Sequence, residues 1–331
     1  MQKESFMKKF SRSQMFTLLI MFILVYGFFG IASKGVFFAR GNLISILNVV
    51  VVVSILTTGA TLVMIAGTQD LSSNQVGALA AIVLAALLRQ GTPTLLALVI
   101  ALASGAAVGV LNSFLINDLR FAPFIATLAT SQVARGLMMI IAAGQGSPSY
   151  IPIKNDFINF IGGGKIFNKT VPFGIVIMLV VMITYGILLK QTKFGKRVYM
   201  VGGNPNAAML CGINPKKMSY VLCVNSGFLS ALAGILMAGN LKSATTTSMQ
   251  NHQFSGMTAA ILGGVSFGGG SGGMGGAFIG LLMLNGFTNG LITLNISAYY
   301  QLIASGALLM VALTLDYLRT KQAMRKVGVG T

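Results

Sequence analysis

Long apolar stretches constrain what this chain can fold into more than any other feature. Hydrophobic residues make up 55% of its 331 residues and charged residues 8%, whereas a soluble domain carries roughly 25% charged residues. Several stretches reach the ~20 residues that an α-helix needs to cross ~30 Å of hydrocarbon. Because a helix satisfies its backbone hydrogen bonds internally, the sequence predicts an all-α, polytopic membrane helix bundle.

We expect about ten transmembrane segments. They cover residues 15–33, 43–66, 73–89, 94–117, 122–143, 172–190, 218–239, 256–267, 275–294 and 298–317. The eighth is too short to span the bilayer as a straight helix. The first follows a basic stretch, as in a signal peptide, but it is long and no small-residue cleavage site follows it, so we expect a retained helix.

The distribution of Lys and Arg predicts the orientation. With the N-terminus inside, the inner segments hold fifteen of these residues and the outer segments seven, which favours an N-in, C-in topology in the cell membrane. The net charge of +18 then serves orientation, and we expect no nucleic-acid partner. The longest outer segment, 144–170, is either a landing surface for an extracellular partner or a plain connector.

The orientation divides the chain into three parts. We expect a cytoplasmic tail over 1–14, a transmembrane domain over 15–318 and a second cytoplasmic tail over 319–331. We expect no attached soluble domain, and therefore expect an energy source or a ligand-capturing domain on another chain.

A basic segment over 190–217 interrupts the transmembrane domain and carries six Lys or Arg and no acid. Within it, Asn204 can cap a short helix whose first residue is Pro205, because proline lacks only an N–H that would be unpaired there. Gly212 supplies a left-handed stop, and Asn214-Pro215 starts the next apolar helix. A short, rigid, basic helix beside the membrane is suited to docking into another protein.

The glycine-rich runs do not form a P-loop. The run over 267–277 contains no Lys, and Gly164-Lys165 is followed by Ile166, whereas a P-loop needs both a Lys and a Ser or Thr. We therefore expect no ATP hydrolysis, no catalytic residues and no cofactor on this chain, and we interpret 267–277 as a tight turn. The single His and two Cys offer neither a catalytic triad nor a metal site.

Asp70 is the most informative single charge, because a carboxylate at the bilayer centre costs about 2.5–3.5 kcal/mol on insertion scales. Ser72 and Gln75 form an S-x-x-Q capping box that would open the next helix, with Asp70 close to its positive end. The alternative is a direct role for Asp70 in a polar path through the membrane.

Other polar side chains fall inside the apolar segments and either bond helices together or line such a path. The candidate path residues are Asp70, Ser72, Asn112, Asn225, Asn285 and Asn289. Small residues four apart predict close helix packing; these are Ala101/Gly105/Gly109, Gly276/Gly280 and Gly286/Gly290.

Four stretches resemble the permease subunits of ribose/xylose-type sugar ABC importers, the inner-membrane translocator family. They are GATLVMIAG (59–67) leading into Asp70-Leu-Ser72; FGKRVYMVGGN (194–204) with Ala207-Ala208 and Gly212-Ile213; 226–227 with 231–234; and LGGVSFGGGSG (262–272) with 289–290. They cover nearly the whole chain in the family's order. The chain departs from the family where Ser73-Asn74-Gln75 replaces valine-glycine-serine, and where Met209 and Cys211 replace arginine and serine.

The resemblance implies a permease domain over 15–318 that moves a small polar solute, a monosaccharide, by alternating access. It implies a cytoplasmic ABC ATPase that uses ATP, an extracytoplasmic solute-binding protein, a second permease subunit in a homo- or heterodimer, and surrounding lipid. It assigns coupling to the ATPase to Gly202, Gly203, Asn204, Pro205, Ala207, Ala208, Gly212 and Ile213. We expect a bulky residue at Gly203 or Gly212 to uncouple hydrolysis from transport.

Other functions stay open at this stage. An ABC permease for nucleosides or branched-chain amino acids is one alternative. An ion-coupled secondary transporter would need intramembrane acids, for which Asp70 is the candidate; uptake abolished by an uncoupler would favour it. A non-transporting membrane scaffold would show no solute flux after reconstitution.

Overall fold

The computed structural model describes residues 14–166, 171–250 and 252–326. Residues 1–13 of the expected N-terminal tail and 327–331 of the expected C-terminal tail lie outside the described residues, as do 167–170 of the outer segment. The described part of the chain is mostly helical.

Each of the ten predicted apolar segments contains a helix. The helices are α1 Gln14–Ala32, α2 Arg40–Ile65, α3 Ser73–Arg89, α4 Thr94–Asn117, α5 Pro123–Gly144, α6 Asp156–Gly163, α7 Gly174–Gln191, α8 Lys193–Gly203, α9 Pro205–Leu210, α10 Pro215–Leu241, α11 His252–Leu262, α12 Met274–Thr293 and α13 Ala298–Lys326. A 3-10 turn, Val36–Phe38, joins α1 to α2. Two of the helices, α6 and α8, were not predicted from the apolar pattern.

Among the described residues, seven helices are long and apolar enough to cross a membrane: α2, α4, α5, α7, α10, α12 and residues 298–318 of α13. The apolar part of α1 and the whole of α3 are shorter. This confirms a polytopic helix bundle, and the chain is a multi-pass membrane protein.

Helix α10 lies at the centre of the bundle. It packs against α2, α3, α4 and α6. The apolar windows of α10 and α2 are 67% and 61% buried inside the chain, against 22% for α4 and α7 and 6% for α13. The central helices therefore carry the internal packing, while the outer ones leave apolar faces for lipid or other subunits.

Glycines bring the central backbones into direct contact. Gly105 and Gly109 of α4 face the backbone of α10 at Gly227 and Cys223, and Gly77 of α3 faces α10 at Gly234. The predicted small-residue stripes are confirmed, since Gly276 and Gly280 face α11, and Gly286 and Gly290 face aromatic rings of α1. Without a side chain between them, backbones approach closely enough for extensive van der Waals contact.

The segment after α5 is a folded loop, as predicted. Strand β1, Tyr150–Pro152, pairs antiparallel with β4, Ser243–Thr245, which follows α10. Strands β2, Lys165–Ile166, and β3, Val171–Pro172, also pair. Helix α6 is capped by the Asn155 side chain, whose Oδ1 accepts the N–H of Ile158 at 3.1 Å. These links hold the loop against the end of α10.

The central packing makes Gly234 intolerant of any side chain. A Cβ there would overlap the carbonyl oxygen of Gly77 and lie 2.8 Å from its Cα. We expect Gly234→Ala to lower the free energy of unfolding by about 1–3 kcal/mol, as overpacking does. Gly136→Ala is the control, since no atom lies within 4 Å of its Cβ position, and alanine favours the helix. Thermal unfolding in detergent measures both; equal midpoints would contradict this packing.

Candidate functional site

The basic segment folds into a short helix with both ends fixed. Asn204 ends α8 through its N–H, which donates to Met200 O at 3.0 Å, and it caps α9 through Oδ1, which accepts the N–H of Ala207 at 3.0 Å. Gly212 adopts φ 75° after α9, and Asn214 caps α10 through the N–H of Lys217 at 3.0 Å. The predicted caps and stop are confirmed, so α9 is a rigid element.

Helix α9 presents apolar side chains to its surroundings. Ala208 is buried, whereas Met209 is 54% exposed and Leu210 is 91% exposed. Lysines and an arginine lie on either side of them along the chain. An exposed apolar tip with a basic rim is typical of a protein contact surface.

Helix α8 precedes α9 and was not predicted. Thr192 caps it, because its Oγ1 accepts the N–H of Gly195 at 3.2 Å. Val198 and Val201 are buried, while Lys196 and Arg197 are exposed. The Thr N-cap and this amphipathic spacing were the available signal, but the helix is short and polar compared with its membrane-spanning neighbours.

The end of α8 contacts two distant parts of the chain, and these contacts are between backbones. We call this region the glycine junction. It consists of Ile65, the last residue of α2, and Gly67 just after it, with Gly202 of α8 and with Gly269 and Gly270 of the glycine-rich loop. A Cβ on Gly202 would overlap the carbonyl oxygen of Ile65 and lie 2.8 Å from the nitrogen of Gly270. The Gly270 N–H donates to Ile65 O at 2.8 Å. Gly269, at φ 91°, lies against Gly202 and Gly67.

Side chains fix the glycine-rich loop on three sides. The Tyr199 hydroxyl of α8 donates to Gly272 O at 2.8 Å. Gln69 Nε2 donates to Phe267 O at 3.3 Å, and the N–H of Phe267 donates to Asp316 of α13 at 3.0 Å. Residues 267–273 form a turn, as predicted, but 274–277 are already the first turn of α12. The turn also connects α8 to the segment between α2 and α3.

That segment carries Asp70, which is 7% exposed. Its Oδ1 accepts the Ser72 N–H at 2.9 Å and the Ser72 hydroxyl at 2.6 Å. Its Oδ2 accepts the Ser226 hydroxyl of α10 at 2.6 Å. Hydrogen bonds to a carboxylate are stronger than those between neutral groups, and the described residues offer Asp70 no ion pair.

The hydrogen bonds continue from Asp70 into two more helices. Asn112 of α4 donates to the Ser72 hydroxyl at 2.9 Å, and Thr130 of α5 donates to Asn112 Oδ1 at 2.5 Å. The Leu71 N–H donates to the Thr127 hydroxyl at 3.2 Å. The buried polar network therefore joins the start of α3 to α4, α5 and α10.

The predicted capping box is wrong. Ser72 makes no side-chain cap bond to α3, because its hydroxyl donates to Asp70 and accepts from Asn112. Gln75 Oε1 is buried and has no hydrogen-bond partner among the described residues. A charged acceptor two residues away is a better partner for the Ser72 hydroxyl than a backbone amide.

The other candidate path residues lie apart from this network. Asn225 of α10 accepts a hydrogen bond from the Tyr185 hydroxyl. Asn285 donates to Leu281 O of its own helix at 2.9 Å. Asn289 accepts from Asn42 at 2.8 Å and so ties α12 to α2. The structure thus brings together Asp70, Ser72 and Asn112, and it joins none of the other three to them by hydrogen bonds.

Sequence reasoning missed several members of the site. Ser226, Thr127 and Thr130 are small hydroxyl residues that read as ordinary helix-packing positions, so no pattern distinguished them. Asn74 is 3% exposed, and its Oδ1, like Gln75 Oε1, has no partner in the described part of the chain. Two unpaired acceptors therefore lie at the start of α3, two and three residues after Ser72 on the chain.

An exposed cluster links the ends of α4 and α10 near the basic segment. Lys216 Nζ lies 2.6 Å from Asp118 Oδ1, and the Tyr220 hydroxyl donates to Asp118 Oδ2 at 2.6 Å. These two hydrogen bonds lower the pKa of the Asp118 carboxyl. Surface pairs of this kind contribute little stability, so the cluster orients the start of α10.

Within the described ranges, no group of three His, Cys, Asp or Glu could hold a metal ion.

The chain is similar to a known protein family over most of its length. The family described as branched-chain amino acid transport system / permease component matches residues 42–313. The ribose import permease protein RbsC of Bacillus subtilis is 33% identical over 279 residues, which cover 83% of this chain and 84% of the relative. The RbsC protein of Haemophilus influenzae is 34% identical, covering 86% and 88%.

A third relative is the D-allose transport system permease protein AlsC of Escherichia coli, which is 31% identical over 299 residues, 90% of each chain. No solved structure matches the chain.

The bond between Ser226 and Asp70 predicts a difference between two neighbouring serines of α10. Ser226→Ala removes a hydrogen bond to a buried carboxylate, so we expect a loss of about 1.5–3 kcal/mol in the free energy of unfolding. Ser230→Ala is the matched control, because that buried hydroxyl bonds, within the described part of the chain, only to Ser226 O of its own helix. Unfolding in detergent would be measured for both; equal losses would contradict a special role for Ser226.

Proposed function

This chain belongs to the branched-chain amino acid transport system / permease component family, and from that membership we propose that it is the membrane permease subunit of an ABC importer that brings a monosaccharide into the cell. The transport subunits of this family are not themselves enzymes. The relatives named for ribose and D-allose transport support a sugar as the solute.

The observation that carries the proposal is α9, a capped helix with an uncovered apolar tip. Its two caps make it move as one body, and Leu210 at 91% exposure offers an anchor for a groove on another protein. In the proposed mechanism the groove belongs to a separate ATPase subunit. ATP closes a pair of such subunits, α9 moves with them, and the bundle switches the side of the membrane to which its solute path opens.

The buried polar network is the proposed solute path within one subunit. Ser226 lies eleven residues along α10, about 16 Å from the helix start at 1.5 Å per residue. The unpaired oxygens of Asn74 and Gln75 need donors, because a buried acceptor without one costs about 1–3 kcal/mol. Sugar hydroxyls supply such donors. Asn225, Asn285 and Asn289 stay path candidates on the remaining helices.

The site favours a sugar over two other classes of solute. An amino acid carries a carboxylate as well as an ammonium group, and the buried polar side chains of the described residues include no Lys or Arg to pair with that carboxylate, whereas hydroxyls and amides are sufficient for a sugar. Ion-coupled transport needs intramembrane acids, and Asp70 is the one buried acid among the described residues. A nucleoside shares the hydroxyl chemistry of a sugar and is the second candidate solute.

The proposed assembly follows from the same argument. It contains the ATPase pair, an extracytoplasmic solute-binding protein and a second permease subunit, of the same or a different sequence, in the cell membrane. We propose ten crossings with both termini in the cytoplasm, a permease domain over 15–318 and cytoplasmic tails on either side. ATP is then used by the partner and by no site on this chain.

The two native cysteines test this orientation. Cys211 is exposed and Cys223 is buried. We expect a membrane-impermeant maleimide to label Cys211 in urea-washed inside-out vesicles and to leave it unlabelled in intact spheroplasts. Cys211→Ser, which removes the labelling, identifies the reacting residue. Labelling in intact spheroplasts would reverse the proposed topology.

Reconstitution tests the transport function. We expect the chain, co-purified with its ATPase and supplied with its binding protein, to take up labelled D-ribose or D-allose into proteoliposomes only with ATP. Leu210→Ser should lower ATPase binding and uptake about tenfold, the loss of one interface anchor, without lowering stability. Ile187→Ser is the control, because it removes a similar apolar side chain from an exposed position of α7. Uptake without ATP would refute the importer.

A further inference from the structure

Helix α8 moves with α9, because a single residue joins them. Asn204 ends one helix with its backbone and caps the next with its side chain. No spacer separates the helices, so a displacement of α9 is delivered to the end of α8 at Gly202 and Gly203.

At that end of α8, the backbones of the glycine junction are in direct contact. Gly202 lies so close to the Ile65 carbonyl that even a methyl group would overlap it, and Gly269 and Gly270 close the other side. The Gly270–Ile65 hydrogen bond of 2.8 Å and the Tyr199–Gly272 hydrogen bond of 2.8 Å connect the same pieces. Packed backbones transmit a displacement, whereas long side chains absorb part of it by changing rotamer.

The junction also lies close along the chain to the Asp70 carboxylate. Gly67 precedes Asp70 by three residues, and Gln69 between them bonds the glycine-rich loop. Asp70 in turn bonds Ser226 of α10 across 2.6 Å. A shift of the segment 66–72 relative to α10 therefore acts directly on the Asp70–Ser226 hydrogen bond.

We infer that the glycine junction is the route by which a displacement of α9 reaches the Asp70 network, and that Gly202 is its positioning residue. Pushing the end of α8 against Ile65 and Gly67 moves the segment 66–72 and so makes or breaks the bond from Asp70 to Ser226. This inference rests on the proposed function, since it explains how ATP-driven closure of the partner pair reaches the solute path. It adds Gly202 to Gly203 and Gly212 as a position where substitution is expected to uncouple hydrolysis from transport.

Two glycine variants provide the test. Gly202→Ala forces the junction apart, while Gly136→Ala on α5 is the control, because no atom lies within 4 Å of its Cβ position. In proteoliposomes containing the ATPase and binding protein, we expect Gly202→Ala to keep ATP hydrolysis and to lower D-ribose uptake per ATP about tenfold, the size of a coupling change along such a network. Gly136→Ala should match the unmodified chain in both rates.

The outcomes separate the two hypotheses. If Gly202→Ala leaves uptake per ATP unchanged while the unmodified chain transports normally, the proposed route through the glycine junction is wrong and the proposed importer function is unaffected. If the unmodified chain takes up neither monosaccharides nor nucleosides with ATP, the importer proposal is refuted, and the proposed route through the glycine junction is refuted with it.

Size-exclusion chromatography would reveal whether Gly202→Ala misfolds, and a milder variant provides the test in that case. Tyr199→Phe removes only the hydroxyl that bonds Gly272, and we expect a fall of about twofold to fivefold in uptake per ATP with hydrolysis retained. An uptake per ATP equal to that of the unmodified chain would contradict the proposed route through the glycine junction.

Discussion

The buried carboxylate of Asp70 is the constraint on which the rest of the bundle depends. A charge enclosed by helices must be satisfied by donors that the fold holds in place. Here a backbone amide and two serine hydroxyls serve that purpose, and Asn112 and Thr130 hold one of those serines in turn. These hydrogen bonds fix the start of α3 relative to α4, α5 and α10.

Around this polar centre, the structure replaces side-chain packing with backbone contact. In lipid there is little hydrophobic force between helices, so close van der Waals contact has to supply the association. Gly77 against Gly234, and Gly105 and Gly109 against α10, show this inside the bundle. The same close backbone contact occurs at the glycine junction, where Gly202 of α8 packs against Ile65. The packing that stabilises the bundle is thus continuous with the contact proposed to transmit movement.

Much of the fold was predictable because its signals are local. Apolar segments long enough for the bilayer became helices, and Asn204, Pro205 and Gly212 specify their turn and caps without help from distant residues. The site was less accessible, since its geometry depends on which helices become neighbours. Ser72 and Gln75 fit a capping box in sequence, but Asn112 and Ser226 arrive from other helices and give Ser72 and Asp70 different partners. Helix α8 was missed for a similar reason: its amphipathic pattern is short and is surrounded by much stronger apolar signals.

The exposed tip of α9 has a consequence for how the proposed complex would be made. A subunit without the proposed ATPase carries a leucine at 91% exposure. Chaperones and proteases recognise uncovered apolar residues, so a subunit made in excess of its proposed partner would be a target for removal. The proposed assembly therefore requires balanced synthesis of the two chains.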